Sequence, residues 1–199
     1  MDIRFSNLCG SQYGEESILF PFFEGCDTGY LVDVGAADGR VNSNSVQLLK
    51  RLGWKGLLIE PEPTNFISLS QYYRDNERVS CEMSAIGTNP GKHTFYCNGQ
   101  VSTLDRAWKK QCAERFKLHY TLVTVEVKTL TDVLDFYGVP EEIDFLSIDC
   151  EGRDKDVVKS LDFTKYRPRL ICIEGKRHRI DGYTKLAETR GNMFFQRSE

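Results

Sequence analysis

The stretch Val32-Asp33-Val34-Gly35-Ala36-Ala37-Asp38-Gly39 decides the fold. With Tyr30 and Leu31 it is a short apolar run that breaks at glycine, the pattern of a buried strand opening into a loop. Asn42-Ser43-Asn44 then offers N-cap side chains to a helix whose inward positions read Val46, Leu49 and Leu52, stopped by Gly53. A second apolar run, Gly56–Glu60, ends at Pro61, and Phe66, Leu69 and Tyr73 mark one face of the next helix. Strand, loop, helix and strand in this alternation predict an α/β sheet.

The same alternation resumes downstream. A third strand is expected over Arg78–Glu82. Leu130, Val133, Leu134 and Tyr137 repeat at helical spacing, and Gly138 and Pro140 end them. Ile143–Ile148 is a fourth strand, a helix follows around Lys155–Leu161, and Leu170–Ile173 is a fifth. Tyr183–Glu188 and Met193–Gln196 read as a terminal hairpin, with Gly191-Asn192 supplying positive φ at the turn. Between these halves, 87–129 is less regular: Gly91–Cys97 and Thr121–Lys128 alternate like strands, and Leu104–Lys117 is polar and helical. It reads as an insertion in one domain spanning 1–199.

Composition bounds the function. Of 199 residues 40% are hydrophobic and 28% charged, enough for a full core and too apolar for a disordered chain. No run approaches the roughly 20 apolar residues of a membrane span, and Met1–Phe5 lacks the apolar core of a secretory signal. A cytoplasmic setting is expected. The net charge is −3 with signs interspersed, which argues against a nucleic-acid partner. The seven cysteines, Cys9, Cys26, Cys81, Cys97, Cys112, Cys150 and Cys172, are odd in number and form no C-x-x-C pair, so neither a disulfide framework nor a zinc site is expected.

Glycines at the end of a first strand let a nucleotide approach the backbone. A dinucleotide fingerprint starting at Gly35 needs glycines at 37 and 40, where Ala37 and Arg40 stand. Asp33 and Asp38 beside the loop suit a ligand bearing ammonium and sulfonium groups, S-adenosylmethionine, better than a pyrophosphate. Glu60, at the end of the second strand, is placed to accept hydrogen bonds from ribose hydroxyls. Glu62 reads as a solvated charge between Pro61 and Pro63, and His178, within Lys176–Arg179, as a surface histidine. Asp149 and Glu151 in Asp149-Cys150-Glu151-Gly152 are two apart, so in an extended segment they face one way at the strand ends where open sheets bind ligands. Either can accept a proton, with Glu151 favoured. Glu174 stands at an adjacent strand end, but no histidine or asparagine joins the segment, so no metal is expected.

Four stretches together resemble the FkbM family of class I methyltransferases: Ser11-Gln12-Tyr13-Gly14-Glu15-Glu16; Val32–Gly39 with Ser43-Asn44-Ser45; Gly53–Pro61; and Phe145–Gly152. Gly182-Tyr183 and Gly191–Phe195 are similar to that family's last strand pair. The resemblance implies a Rossmann-like, seven-stranded, mostly parallel sheet ordered 3-2-1-4-5-7-6, its last strand antiparallel, with helices on both faces. It implies S-adenosylmethionine as cofactor and O-methylation of a hydroxyl on a small molecule or glycan: a sugar, glycolipid or secondary metabolite. The cofactor residues it implies are Asp33, Gly35, Ala36, Asp38, Gly39, Asn44, Glu60, Pro61, Ser84 and Ala85, with Gln12 and Tyr13 as a lid. Ser147 replaces a usual lysine, and an acidic residue usual at Arg153 is displaced to Asp154. The competing readings are a nicotinamide-linked oxidoreductase and a non-catalytic binding subunit.

Overall fold

The computed structural model describes residues 10–198; Met1–Phe5 and Cys9 lie outside them. Along the chain run β1 (Gly10–Ser11), α1 (Glu16–Phe22), β2 (Tyr30–Val34), β3 (Val41–Asn42), α2 (Val46–Arg51), β4 (Lys55–Ile59) and α3 (Pro63–Tyr73). Then come β5 (Val79–Glu82), β6 (Ala85–Ile86), β7 (Gly91–Cys97), α4 (Arg106–Phe116), β8 (Thr121–Lys128) and α5 (Leu130–Tyr137). The last elements are β9 (Phe145–Ile148), α6 (Asp154–Lys159), β10 (Leu170–Glu174), β11 (Tyr183–Glu188) and β12 (Asn192–Arg197).

Seven strands form one sheet in the order β5-β4-β2-β9-β10-β12-β11, which is 3-2-1-4-5-7-6 when these seven are numbered alone. β5, β4, β2, β9 and β10 pair in parallel, and β12 runs antiparallel to both its neighbours. Side chains alternate across a strand, so each parallel strand feeds two cores. Val32, Leu57, Leu146 and Ile171 pack on one face with Leu130, Val133 and Leu134 of α5 and Val157 of α6. Leu31, Leu58, Phe145 and Leu170 pack on the other with Leu19 of α1, Leu48 and Leu49 of α2 and Leu69 of α3. Near-continuous apolar strands are what a sheet covered on both sides requires.

Within the less regular segment 87–129, the runs Gly91–Cys97 and Thr121–Lys128 form β7 and β8 as expected, and α4 lies within the expected helix. β6, β8 and β7 make a second, three-stranded sheet, and α4 crosses between β7 and β8. Lys128 pairs with Glu82 at 2.7 Å, tying the end of β8 to the end of β5.

Three local expectations fail for identifiable reasons. Leu52 is exposed, because α2 ends at Arg51 and its buried positions are Val46, Leu48 and Leu49. The hairpin turn uses no positive φ at Gly191 or Asn192. Glycine is needed at 191 because a Cβ would lie 2.3 Å from the Tyr13 ring. Glu62 is buried rather than solvated and caps α3 by accepting the Asn65 N–H at 2.7 Å. All six described cysteines are free, and no described helix is long and apolar enough to cross a membrane.

Candidate active site

The parallel strands end on one edge, and their loops bound a cleft whose empty volume, counting space open to solvent, is about 530 Å³. Its floor begins at the loop after β2. Gly35 has φ +86°, and a Cβ there would stand 1.9 Å from the Asp149 carbonyl oxygen. Glycine at 35 is therefore obligatory: it lets the first loop run against the loop after β9. The Gly35 and Ala36 N–H groups donate to Ile59 O, and Asp149 N–H to Val34 O, locking three strand ends together.

Glu60 is the fixed acceptor of this cleft. Its carboxylate accepts the Ala37 N–H at 2.8 Å and the Glu62 N–H at 2.7 Å. Burial outweighs both bonds and pushes its pKa up to about 7, with the Glu62 charge adding to the rise. The Asn65 side chain also bonds this carboxylate. Pro61, Ser84, Ala85, Ile86 and Phe95 line the cleft beyond it.

Opposite stands an acidic group. Carboxylate oxygens of Asp149, Glu151 and Glu174 lie within 4.8 Å of one another. The segment is not extended as expected: Glu151 has φ +48° and Gly152 φ +92°, and this left-handed turn brings Glu151 back toward Asp149. Burial and then the Glu174 charge raise Asp149 well above its ordinary value. Burial and the Glu151 charge push Glu174 to about 8, and burial with the Asp149 charge pushes Glu151 to about 7. Asp149 and Glu174 hydrogen-bond each other, an arrangement that needs a proton between them. A shared proton would hold the two together, and three oxygens so spaced could also surround a cation.

Of the residues read from sequence, Gly35, Glu60, Pro61, Ser84, Ala85, Asp149 and Glu151 line this cleft. Asp33, Ala36, Asp38, Gly39, Asn44 and Gln12 are not part of its lining. Asp33 is buried in β2 beside Ser45 and Ser147, and burial lifts it to about 6. Asn44 donates to Ser147 Oγ at 3.3 Å. Asp38 accepts the Arg40 and Val41 N–H groups and so shapes the loop. Gly39, at φ +69°, makes room for Leu69 and Tyr73, whose hydroxyl donates to the Gly39 carbonyl. Ala36 is buried, and Gln12 is exposed.

Tyr13 packs on Gly191 at the hairpin, and Glu15 beside it is fully buried, accepting from Thr189 and Asn192 at 2.8 Å. His178 is half-buried, its Nε2 2.5 Å from Glu174 O.

Sequence reasoning missed Phe95, Gln100, Leu104 and Trp108. The first three line the cleft, and Trp108 donates its indole N–H to Glu151 at 2.9 Å. They belong to the segment 87–129, whose pattern contains no signal of what it packs against.

The geometry can be set beside known proteins. A family model described as the methyltransferase FkbM domain matches residues 33–193. Among solved structures, the methyltransferase FkbM of Methylobacillus flagellatus KT aligns at 16% identity and TM-score 0.53, over 87% of this chain and 46% of that one. This chain thus spans under half the length of that protein. A methyltransferase from Geobacter sulfurreducens aligns at 11% identity and TM-score 0.52, over 95% of this chain and 82% of its own. At these identities the likeness is one of fold. No curated protein sequence matches the chain.

Proposed function

We propose, from the premise that this chain belongs to the FkbM methyltransferase family, that it methylates a hydroxyl oxygen of a sugar, glycolipid or secondary metabolite with S-adenosylmethionine. The observation that carries the reading is that one cleft is lined by the Gly35 loop, the buried Glu60 carboxyl and the Glu151 carboxyl; we read Glu60 as the ribose acceptor and Glu151 as the proton acceptor. Gly35, Glu60, Pro61, Ser84 and Ala85 would touch the cofactor, Glu60 through its carboxylate. Asp33, Ala36, Asp38, Gly39 and Asn44 would act by holding the loop in shape, and Gln12 at the outer edge.

When bound, the cofactor supplies a methyl group activated by a sulfonium. The chain's own part is to hold the acceptor oxygen in line with that methyl, keep water out and take the hydroxyl proton on the Glu151 carboxylate. A base near 7 suits neutral conditions: it is ionised often enough to act, and basic enough to accept. Asp149 and Glu174, sharing a proton, would anchor the pocket. No metal enters this mechanism. Residues 1–199 would form one domain with 87–129 inserted. The acceptor would be a small molecule or glycan rather than a nucleic acid, and the setting cytoplasmic.

Calorimetry tests the reading directly. S-adenosylmethionine or its demethylated product should bind at micromolar concentrations, about −8 kcal/mol, and NADH should not. Tight NADH binding without any response to S-adenosylmethionine would overturn it. Binding without turnover across a broad acceptor screen would favour a non-catalytic subunit.

A further inference from the structure

Glu151 holds a left-handed backbone conformation, φ +48°, that residues with a Cβ rarely keep without support. The support comes from the segment between β7 and α4. Thr103 Oγ1 donates to the Glu151 carbonyl at 2.8 Å and accepts the Asp105 N–H at 2.9 Å. Asp105 in turn caps α4, accepting the Ala107 and Trp108 N–H groups at 2.7 and 2.9 Å. This chain of caps sets Trp108 in the first turn of α4. Its ring lies against Gly152, where an added Cβ would be 3.2 Å from Trp108 Cγ, and its Nε1–H reaches Glu151 Oε2 at 2.9 Å. One residue thus packs on the turn and bonds the carboxylate that the turn presents.

We propose that Trp108 is the positioning residue for Glu151, orienting its carboxylate so that one oxygen is held by the indole and the other stays available to an acceptor hydroxyl. The inference rests on Glu151 being the proton acceptor. It also assigns the segment 87–129 a role, since Trp108 and Thr103 bring it onto the reacting end of the cleft. An N–H donor favours the ionised carboxylate, opposing the groups that disfavour it. Those facing Glu151 are Asp149 and Asp154 from its own loop and α6, Glu174 from β10, and Cys112 and Tyr120 from α4 and the segment after it. Removing the indole donor leaves their influence unopposed.

The test is nuclear magnetic resonance on isotope-labelled protein, which needs no acceptor. The chain has two tryptophans, so the Trp108 indole N–H is assigned by its loss in Trp108→Phe, and the Glu151 carboxyl carbon by its loss in Glu151→Gln. In the wild type both resonances should titrate with one midpoint, near 7. Trp108→Phe keeps an aromatic ring over Gly152 and removes the donor, so the Glu151 midpoint should rise by about one pH unit, a tenfold change in proton affinity. A merely packing role would leave the midpoint where it was, and that result overturns the proposal. An indole resonance that stays flat while Glu151 titrates also overturns it, and this wild-type measurement decides even where the variant fails to fold. Calorimetry with S-adenosylmethionine on the same sample reports separately. Absent binding with a shared midpoint would count against methyl transfer and not against the hold of Trp108 on Glu151.

Discussion

Replacing Glu60 with glutamine should remove a pH-dependent loss of stability that the wild type suffers between mildly acid and mildly alkaline conditions. Glu60 is 5% exposed, and each of its oxygens takes one backbone N–H. Its carboxyl ionises near 4.5 in the unfolded chain and near 7 in the folded protein. Between those values the folded state keeps a proton that the unfolded state has released. The group's contribution to stability is therefore full below about 4.5 and is lost as pH rises through 7. The difference amounts to about 3 kcal/mol.

Glutamine cannot ionise, so the variant lacks this slope. It has its own fixed cost, because its amide offers one carbonyl to two backbone donors and turns an NH₂ toward the second, worth about 1–3 kcal/mol at any pH. Urea unfolding at about pH 5, 6, 7 and 8 on both proteins reads the two effects apart. The wild type should be the more stable at about pH 5, and the gap should shrink by about 2–3 kcal/mol, closing or reversing, by about pH 8. Asp33 and Glu174, raised to about 6 and about 8, titrate in both proteins and cancel in the difference. A gap that stays constant across the range would refute the reasoning, since it would mean that burial does not hold the proton on Glu60.

Gly35→Ala should destabilise the protein by at least about 2 kcal/mol in thermal melts, whereas Gly138→Ala, also at positive φ but with open space around it, should cost only about 1 kcal/mol. Glu151→Gln should cut turnover roughly 10²–10⁴-fold once an acceptor is known, with the calorimetric affinity for S-adenosylmethionine unchanged. Turnover should survive exhaustive chelation; restoration of a lost activity by Mg²⁺ or Mn²⁺ would move Asp149, Glu151 and Glu174 to a metal role. Calorimetry near pH 7 in buffers of different ionisation enthalpy should show more protons released on binding S-adenosylmethionine than on binding its demethylated product, which keeps the ammonium but lacks the sulfonium. Equal release would mean that the raised carboxyls do not sense the sulfonium.

What could be read from the sequence is what local pattern encodes. The apolar run Tyr30–Val34 and the glycine after it announce β2 and its loop, and Glu60 and Asp149 follow apolar runs closely enough to be assigned to strand ends. Partners distant in sequence leave no such trace. Asp149 and Glu174 come together because β9 and β10 are neighbours, and Glu15 is buried because Thr189 and Asn192 reach it across 174 and 177 positions. Glu62 between prolines looks solvated until α3 forms and turns it into a cap. Gly191 looks like a turn residue, and its reason is a tyrosine ring near the start of the chain. Trp108 stands in the polar helix α4, and its role exists only through the positive φ of Glu151, which neighbouring residue types do not announce.

The same edge of the sheet explains why acids, and not other polar groups, suit this cleft. Each parallel strand delivers a carboxylate at or near its end: Asp33 from β2, Glu60 after β4, Glu82 from β5, Asp149 after β9 and Glu174 from β10. Only at Glu82 do neighbours outweigh burial. There Lys128 at 2.7 Å and Tyr137 at 3.0 Å hold the group below its ordinary value. The other four are raised: Asp33 by burial, Glu60 by burial and the Glu62 charge, and Asp149 and Glu174 by burial and the charges of neighbouring carboxylates. The free chain meets that cost by keeping protons at this edge. A ligand bearing positive charge relieves it another way, by giving the carboxylates something to face, and a pyrophosphate would make it worse. The proposed cofactor would bring a sulfonium and an ammonium to a cleft already lined with acids, while Glu151, raised to about 7 and bonded by Trp108, would stay free to take the acceptor's proton. On this reading, binding and proton transfer would draw on one electrostatic arrangement, with the cationic ligand favouring ionisation of the group proposed as base.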